Sequence, residues 1–201
     1  MNSIISFEEI FEVLKILHYK KTLVYGDSWK KHGELIGIFA NISRKYDRIS
    51  ALMRGRKPTS DETIFDTLAD LAVYTGKYLT YLAEFYKSIF TEFLSQYASQ
   101  YNIDQYYHNE GFDPITNILI QHYYNSDLTN KLLTTEDCIK EIHYNFGLLE
   151  SILVNDDWRN SDIRKCIATA NLSVIAVHNI LLLAIDTPKR YFLYLKFIDN
   201  L

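Results

Sequence analysis

Three acidic residues, Glu62, Asp66 and Asp70, follow one another at intervals of four, a spacing that stacks side chains along one face of a helix. Asp70 lies inside Leu68-Ala69-Asp70-Leu71-Ala72-Val73-Tyr74, an otherwise apolar run. A carboxylate there is costly to bury unless an arginine, a lysine or a metal ion pairs with it. Like charges at this spacing also repel. A hard cation such as Mg²⁺ (or Mn²⁺) relieves both problems through oxygen ligands and commonly bridges to phosphates. The alternative is structural: an acidic first turn at Glu62, with Asp66 or Asp70 in a salt bridge to a neighbouring helix.

A second group precedes it. Glu34, Asn41, Lys45 and Arg48 are spaced by seven, four and three, so they share one helix face. Lys45 and Arg48 suit phosphate, lysine as a point charge and arginine as a fork. They equally suit neutralising Asp66 and Asp70 across an antiparallel helix pair. Just upstream, Tyr25-Gly26-Asp27-Ser28-Trp29 forms an aromatic turn, whose Tyr25 or Trp29 can stack on a base or simply staple the next helix. Other chemistries find less support. The six histidines form neither an HxxxH pair nor a Cys/His cluster, which argues against a zinc site. No G-x-S-x-G occurs, and Cys138 and Cys166 lack a nucleophile signature.

The elements that must present these residues are helical. With 7 Gly and 3 Pro in 201 residues, turn-rich sheets and Gly-rich phosphate loops are disfavoured. A hydrophobic content of 48% supplies an ordinary core. Ser6 and Glu9 make a capping box before the stripe Phe7, Ile10, Phe11, Leu14 and Leu17. A second helix is predicted from near Ser28 to Met53, on the stripe Leu35, Phe39, Ile42, Tyr46, Ile49, Met53. A third starts at Ser60 and runs to about Tyr101, broken near Lys87 to Thr91. Further helices are predicted over 114–125, 135–154, 161–185 and 188–199, two of them opened by Pro114 and Pro188. The sum is an all-α, antiparallel bundle of about seven helices, divided into a chemistry-bearing region 1–100 and a helical region 101–201 packed on it.

Ser60-Asp61 followed by Leu68-Ala69-Asp70-Leu71 is echoed by Ser161-Asp162 followed by Thr169-Ala170-Asn171-Leu172, 101 residues later. If this is a repeat, the second copy lacks the carboxylates, because Glu62, Asp66 and Asp70 become Ile163, Ile167 and Asn171. Capped amphipathic helices also resemble one another without common origin. The net charge of −4 provides no field for generic nucleic-acid binding or an anionic membrane. The apolar stretch Leu172 to Ile185 is too short to span a bilayer and is interrupted by His178 and Asn179. With two separated cysteines, the sequence reads as a cytoplasmic protein of a reducing compartment. Tyr97, Tyr101, Tyr106, Tyr107, Tyr123 and Tyr124 suggest a packing surface, or one for a protein partner or second copy.

Taken together, Tyr25, Gly26 and Trp29, then Lys45 and Arg48, then Asp66, Asp70 and Tyr74 resemble the first nucleotide-modification-associated domain of phages and bacteria. Its hallmarks are Y-G-x-x-W, K-x-x-R and D-x-x-x-D-x-x-x-Y. The resemblance covers residues 20–82. That domain is distantly similar to MazG-like all-α nucleoside triphosphate pyrophosphohydrolases, so the resemblance implies a four-helix core with a C-terminal helical extension. It also implies a nucleotide ligand, with Asp66, Asp70 and Glu62 as catalytic carboxylates and those three plus Glu34 as Mg²⁺ ligands. Lys45, Arg48, Asn41, Tyr25, Trp29 and Tyr74 would hold the substrate. The superfamily's first-helix E-x-x-E is missing: Glu34 is followed by Gly37 and Asn41 by Arg44. Either a metal-dependent pyrophosphohydrolase or a non-catalytic nucleotide-sensing subunit of a phage or anti-phage system fits these residues. A purely structural subunit, its charged faces serving as interhelical salt bridges, is the third possibility.

Overall fold

The computed structural model describes residues 5–26, 28–55, 63–101, 112–155 and 162–201. Among them it holds nine α-helices and no strand, so the all-α bundle stands with two more helices than expected. They are α1 (Phe7–Tyr25), α2 (Ala40–Met53), α3 (Ile64–Phe85), α4 (Lys87–Tyr97), α5 (Phe112–Asn125), α6 (Leu128–Lys131), α7 (Thr135–Glu150), α8 (Arg164–Asp186) and α9 (Pro188–Asp199).

Local chemistry sets most boundaries. The Ser6–Glu9 capping box opens α1 as expected. The third helix departs from expectation at its start: Thr63, not Ser60, caps it, and Asp66 closes a reciprocal box on the Thr63 backbone. The expected single helix from Ser28 is three pieces. A 3₁₀ turn (Ser28–Lys30) and a π-helical stretch (Glu34–Phe39) precede α2. Gly33 turns the chain with φ 75°, a conformation open to glycine at little cost. Gly37 lets this stretch close up: a Cβ there would lie 2.8 Å from the Trp29 carbonyl oxygen. The long third helix does break, at Tyr86, one residue before the expected zone.

The echo extends well beyond one helix. Tyr86 between α3 and α4 has φ −128°, ψ 52°, and Thr187 between α8 and α9, 101 residues later, has φ −131°, ψ 61°. The order α1, α2, α3, α4 is followed by α5, α7, α8, α9 at nearly constant separation. Packing is reciprocal too: α1 contacts α8 as α5 contacts α3, and α4 contacts α8 as α9 contacts α3. Among the described residues, the two long helices α3 and α8 make the most extensive contact between elements. The Ser173 hydroxyl on α8 donates to the carbonyl of Ala72 on α3 at 3.2 Å, and these positions are also 101 apart. Equivalent points of the two halves therefore meet.

Leu172 to Ile185 lies within α8, which by length and composition alone is long and apolar enough to cross a membrane, with a mean hydropathy of 1.8 over its most apolar window. Its side chains are mostly buried in the bundle against α3 and α7. Cys138 and Cys166 are buried free thiols; burial pushes the Cys138 pKa up to about 12. The described members of the tyrosine group serve internal contacts. Tyr123 stacks on Phe7 at 3.9 Å and donates to His178 Nδ1, while the Tyr124 hydroxyl donates to Glu8. Tyr97 packs on Phe93 and His122. Tyr106 and Tyr107 lie outside the described residues.

Three histidines tie the core to pH. His18 stacks on Phe112 at 4.2 Å, and burial together with neighbouring Lys77 pushes its pKa down to about 4. Burial also lowers His122 and His178. The unfolded chain takes up a proton near 6.5, whereas folded His18 resists until about 4. Stability is therefore full above about pH 6.5 and falls as pH drops from there toward 4. Denaturant melts across this range are expected to show that slope, reduced in His18→Phe; an unchanged slope in the variant would exclude His18 as a source.

Candidate functional site

Asp70 is the centre of the site. It projects from the largely apolar buried face of α3 and is met from two sides by ammonium groups. Lys45 on α2 reaches Asp70 Oδ2 at 2.6 Å, and Lys21 on α1 pairs with Oδ1. The Lys45 side chain is only 6% exposed. Burial alone pushes the Asp70 pKa up, but the two lysines outweigh it and hold the carboxyl below its ordinary value. Asp70 therefore stands in a two-lysine salt bridge, one of the two roles its spacing allowed.

A cleft of about 400 Å³ opens on one side of this triad. Its walls include Tyr25 and Trp29 from the aromatic turn, Asn41 from α2, and Asp70 and Tyr74 from α3. Five expected site residues thus converge from three segments. The cleft also contains Lys21, Arg44 and Lys77, which the motifs did not single out. Lys77 stands 5.3 Å from the Trp29 ring centroid and 6.0 Å from that of Tyr74, a cation–π arrangement. Its signal was present: Asp70, Tyr74 and Lys77 fall at i, i+4 and i+7 on α3. Lys21 lay one turn before Tyr25, but α1 had been read for its apolar stripe alone. The Asn41 amide donates to the Gly37 carbonyl at 2.6 Å and its oxygen accepts from Arg44 at 3.0 Å, which fixes this wall.

A second cavity, about 1010 Å³, lies on the other side of the triad. Lys21, Lys45, Asp66 and Asp70 line one part of it, and Leu52, Phe65, Leu183, Leu193 and Phe197 contribute apolar wall. Arg48 is exposed and lines neither cavity.

Of the expected carboxylates, Asp66 and Asp70 share the larger cavity, whereas Glu34 lies apart from them. Asp66 is the capping partner of Thr63, accepting from its amide at 2.7 Å and its hydroxyl at 2.6 Å. Glu34 is buried in a separate cluster: the Tyr86 hydroxyl donates to Oε2 at 3.0 Å, the Tyr78 hydroxyl donates to Oε1, and Lys165 Nζ lies 3.4 Å from Oε1. Burial and the Glu34 carboxylate raise the pKa of both tyrosines, so both remain donors. Tyr78 itself lies eight residues, about 12 Å of helix rise, beyond Asp70 on α3. Glu62 lies outside the described residues. Among the described residues no group of three His, Cys, Asp or Glu is placed to hold a metal ion. Glu34 thus stands in a cluster of its own, apart from Asp66 and Asp70, which line one cavity.

The second half keeps the connectivity of the triad without its charge. His122 and Asn171 stand 101 residues after Lys21 and Asp70. His122 Nε2 bonds Asn171 Oδ1 at 2.7 Å, and Asn171 donates to Asn145 at 2.9 Å. Asn145 lies one residue short of the equivalent of Lys45, which is Phe146.

No family model matches the chain, and no solved structure matches it. Among curated proteins it is similar to the "Gene 30 protein" of Bacillus phage SP01, 27% identical over 119 residues. The match takes in 48% of this chain and 53% of that protein, so the chain spans about half the length of its relative.

Proposed function

We propose that this chain binds a nucleotide in the cleft walled by Tyr25, Trp29 and Tyr74. The observation that carries the reading is the convergence there of aromatic rings with Lys21, Arg44 and Lys77 around one carboxylate. Aromatic faces accept any base by stacking, and clustered cations accept phosphate. A cleft of about 400 Å³ is within the range of small-molecule sites. Similarity to a phage protein is consistent with a role in phage nucleotide metabolism or in sensing nucleotides during infection.

The test is titration of the full chain with nucleoside triphosphates in EDTA, read by Trp29 fluorescence and calorimetry. Trp29→Ala is expected to weaken binding at least about tenfold, the worth of one stacked base. Absence of binding, or calorimetric affinity unchanged in Trp29→Ala, overturns the reading. Metal-dependent pyrophosphate release is the second reading, favoured by Asp66 and Asp70 lining the same larger cavity. It is tested by adding Mg²⁺ or Mn²⁺ and measuring pyrophosphate; binding without product supports the non-catalytic form.

A further inference from the structure

Most of the 1010 Å³ cavity is not accounted for by nucleotide binding. Its far wall is built by the end of α8 and by α9, through Leu183, Leu193, Tyr194 and Phe197. These helices belong to the second half of the chain, beyond the region of family resemblance. Apolar side chains make up much of its wall, with a smaller set of polar ones. Tyr194 is 5% exposed, lines the cavity, and its buried hydroxyl has no hydrogen-bond partner among the described residues. A buried hydroxyl left unsatisfied costs free energy that a ligand can return. Burial, with Asp66 and Asp70 nearby, raises the Tyr194 pKa, so it is a donor.

Charge complements this. Two ammonium groups flank one carboxylate, so the triad of Lys21, Asp70 and Lys45 carries one net positive charge at the cavity wall. Arg190 adds another cation to the lining and Asp66 offsets it. An apolar chamber with a cationic, hydrogen-bond-donating wall takes an amphipathic anion. The apolar part is held by area removed from water, and the head group by charge-assisted hydrogen bonds.

We propose that this cavity is a second binding site, for a small amphipathic anion: an aliphatic or aromatic chain ending in a carboxylate or phosphate. The head would meet Tyr194 and the lysines, and the chain would lie against Leu183, Leu193 and Phe197. The site is separate from the nucleotide cleft, although Lys21 and Asp70 border both.

Calorimetric titration of the full chain with decanoate, decyl phosphate and decanol tests this. Decanoate or decyl phosphate should bind once per chain, and decanol at least about tenfold more weakly, the worth of a hydrogen bond to a charged group. Whichever anion binds more tightly identifies the head. Tyr194→Phe removes a hydroxyl with no protein partner, so it should fold normally and bind the anion about tenfold more weakly. Leu183→Trp narrows the apolar part of the chamber and should weaken binding, with circular dichroism reporting its fold. Trp29→Ala should bind the anion as the natural chain does, which separates this site from the nucleotide cleft. Absence of binding by either anion, equal binding of decanol, or full anion affinity in Tyr194→Phe overturns the proposal.

Discussion

Lys165→Met is expected to destabilise the protein by about 3–5 kcal/mol, the cost of leaving a buried carboxylate without its cation. The Lys165 side chain is fully buried and that of Glu34 is 4% exposed, so water cannot take over either partner's role. The pair joins the π-helical stretch of the first half to the start of α8 in the second. Lys165 Nζ also lies 4.9 Å from the Tyr86 ring centroid, adding a cation–π contact at the break between α3 and α4. For a chain of this size the loss corresponds to a fall of about 10 °C in Tm. Glu34→Gln combined with Lys165→Met should recover a large part of it, because the neutral amide oxygen still accepts from one tyrosine hydroxyl while its NH2 donates to the other. Denaturant unfolding of both variants provides the measurement. A cost below about 1 kcal/mol for Lys165→Met would show that the carboxylate finds other compensation.

Asp70→Asn should act on stability and on binding in opposite directions. Without the carboxylate, Lys45 is left buried beside Lys21, at a cost of about 3 kcal/mol. Lys21 is 35% exposed, so solvent screens its share. The pH dependence has a definite sign. Asp70 has a folded pKa below its unfolded value, so its contribution is full above about pH 4 and is lost as pH falls through the folded pKa. That acid limb should flatten in Asp70→Asn. Nucleotide affinity in EDTA should rise roughly three- to tenfold, because a negative charge facing phosphate has been removed. If Asp70 instead held a required metal, affinity and turnover with Mg²⁺ would both fall, and the measured direction decides between the two roles.

The helical fold was legible because periodicity and caps are local. The run from Pro188 was readable to the residue, since Thr187-Pro188 marks its start and its apolar positions repeat cleanly. The segment from Ser28 to Phe39 was not, because a π-helical stretch keeps the same apolar residues while shifting which side chains share a face. That shift carried Glu34 away from Lys45 and into the tyrosine cluster. The capping role of Asp66 was hidden for a different reason. Four-residue spacing describes a helix interior, but Thr63 turned Asp66 into an N3 residue facing its own helix end. The cleft's aromatic and amide residues were legible from motif order. Lys21 and Lys77 were missed because the role of each depends on a neighbour from another segment of the chain.

The meeting of Ala72 with Ser173 has a consequence for how the chain acquires its structure. The buried stripe of α3 finds its main cover in α8, a hundred residues later, so the first half cannot complete its core while the second is still being synthesised. Native contacts of such sequence separation make folding slower than the helical content alone would suggest. During that interval the apolar face of α3 is exposed, and another nascent copy offers it the same stripe. The order in which the halves appear thus makes early self-association the characteristic hazard of this architecture, and prompt synthesis of α8 its remedy.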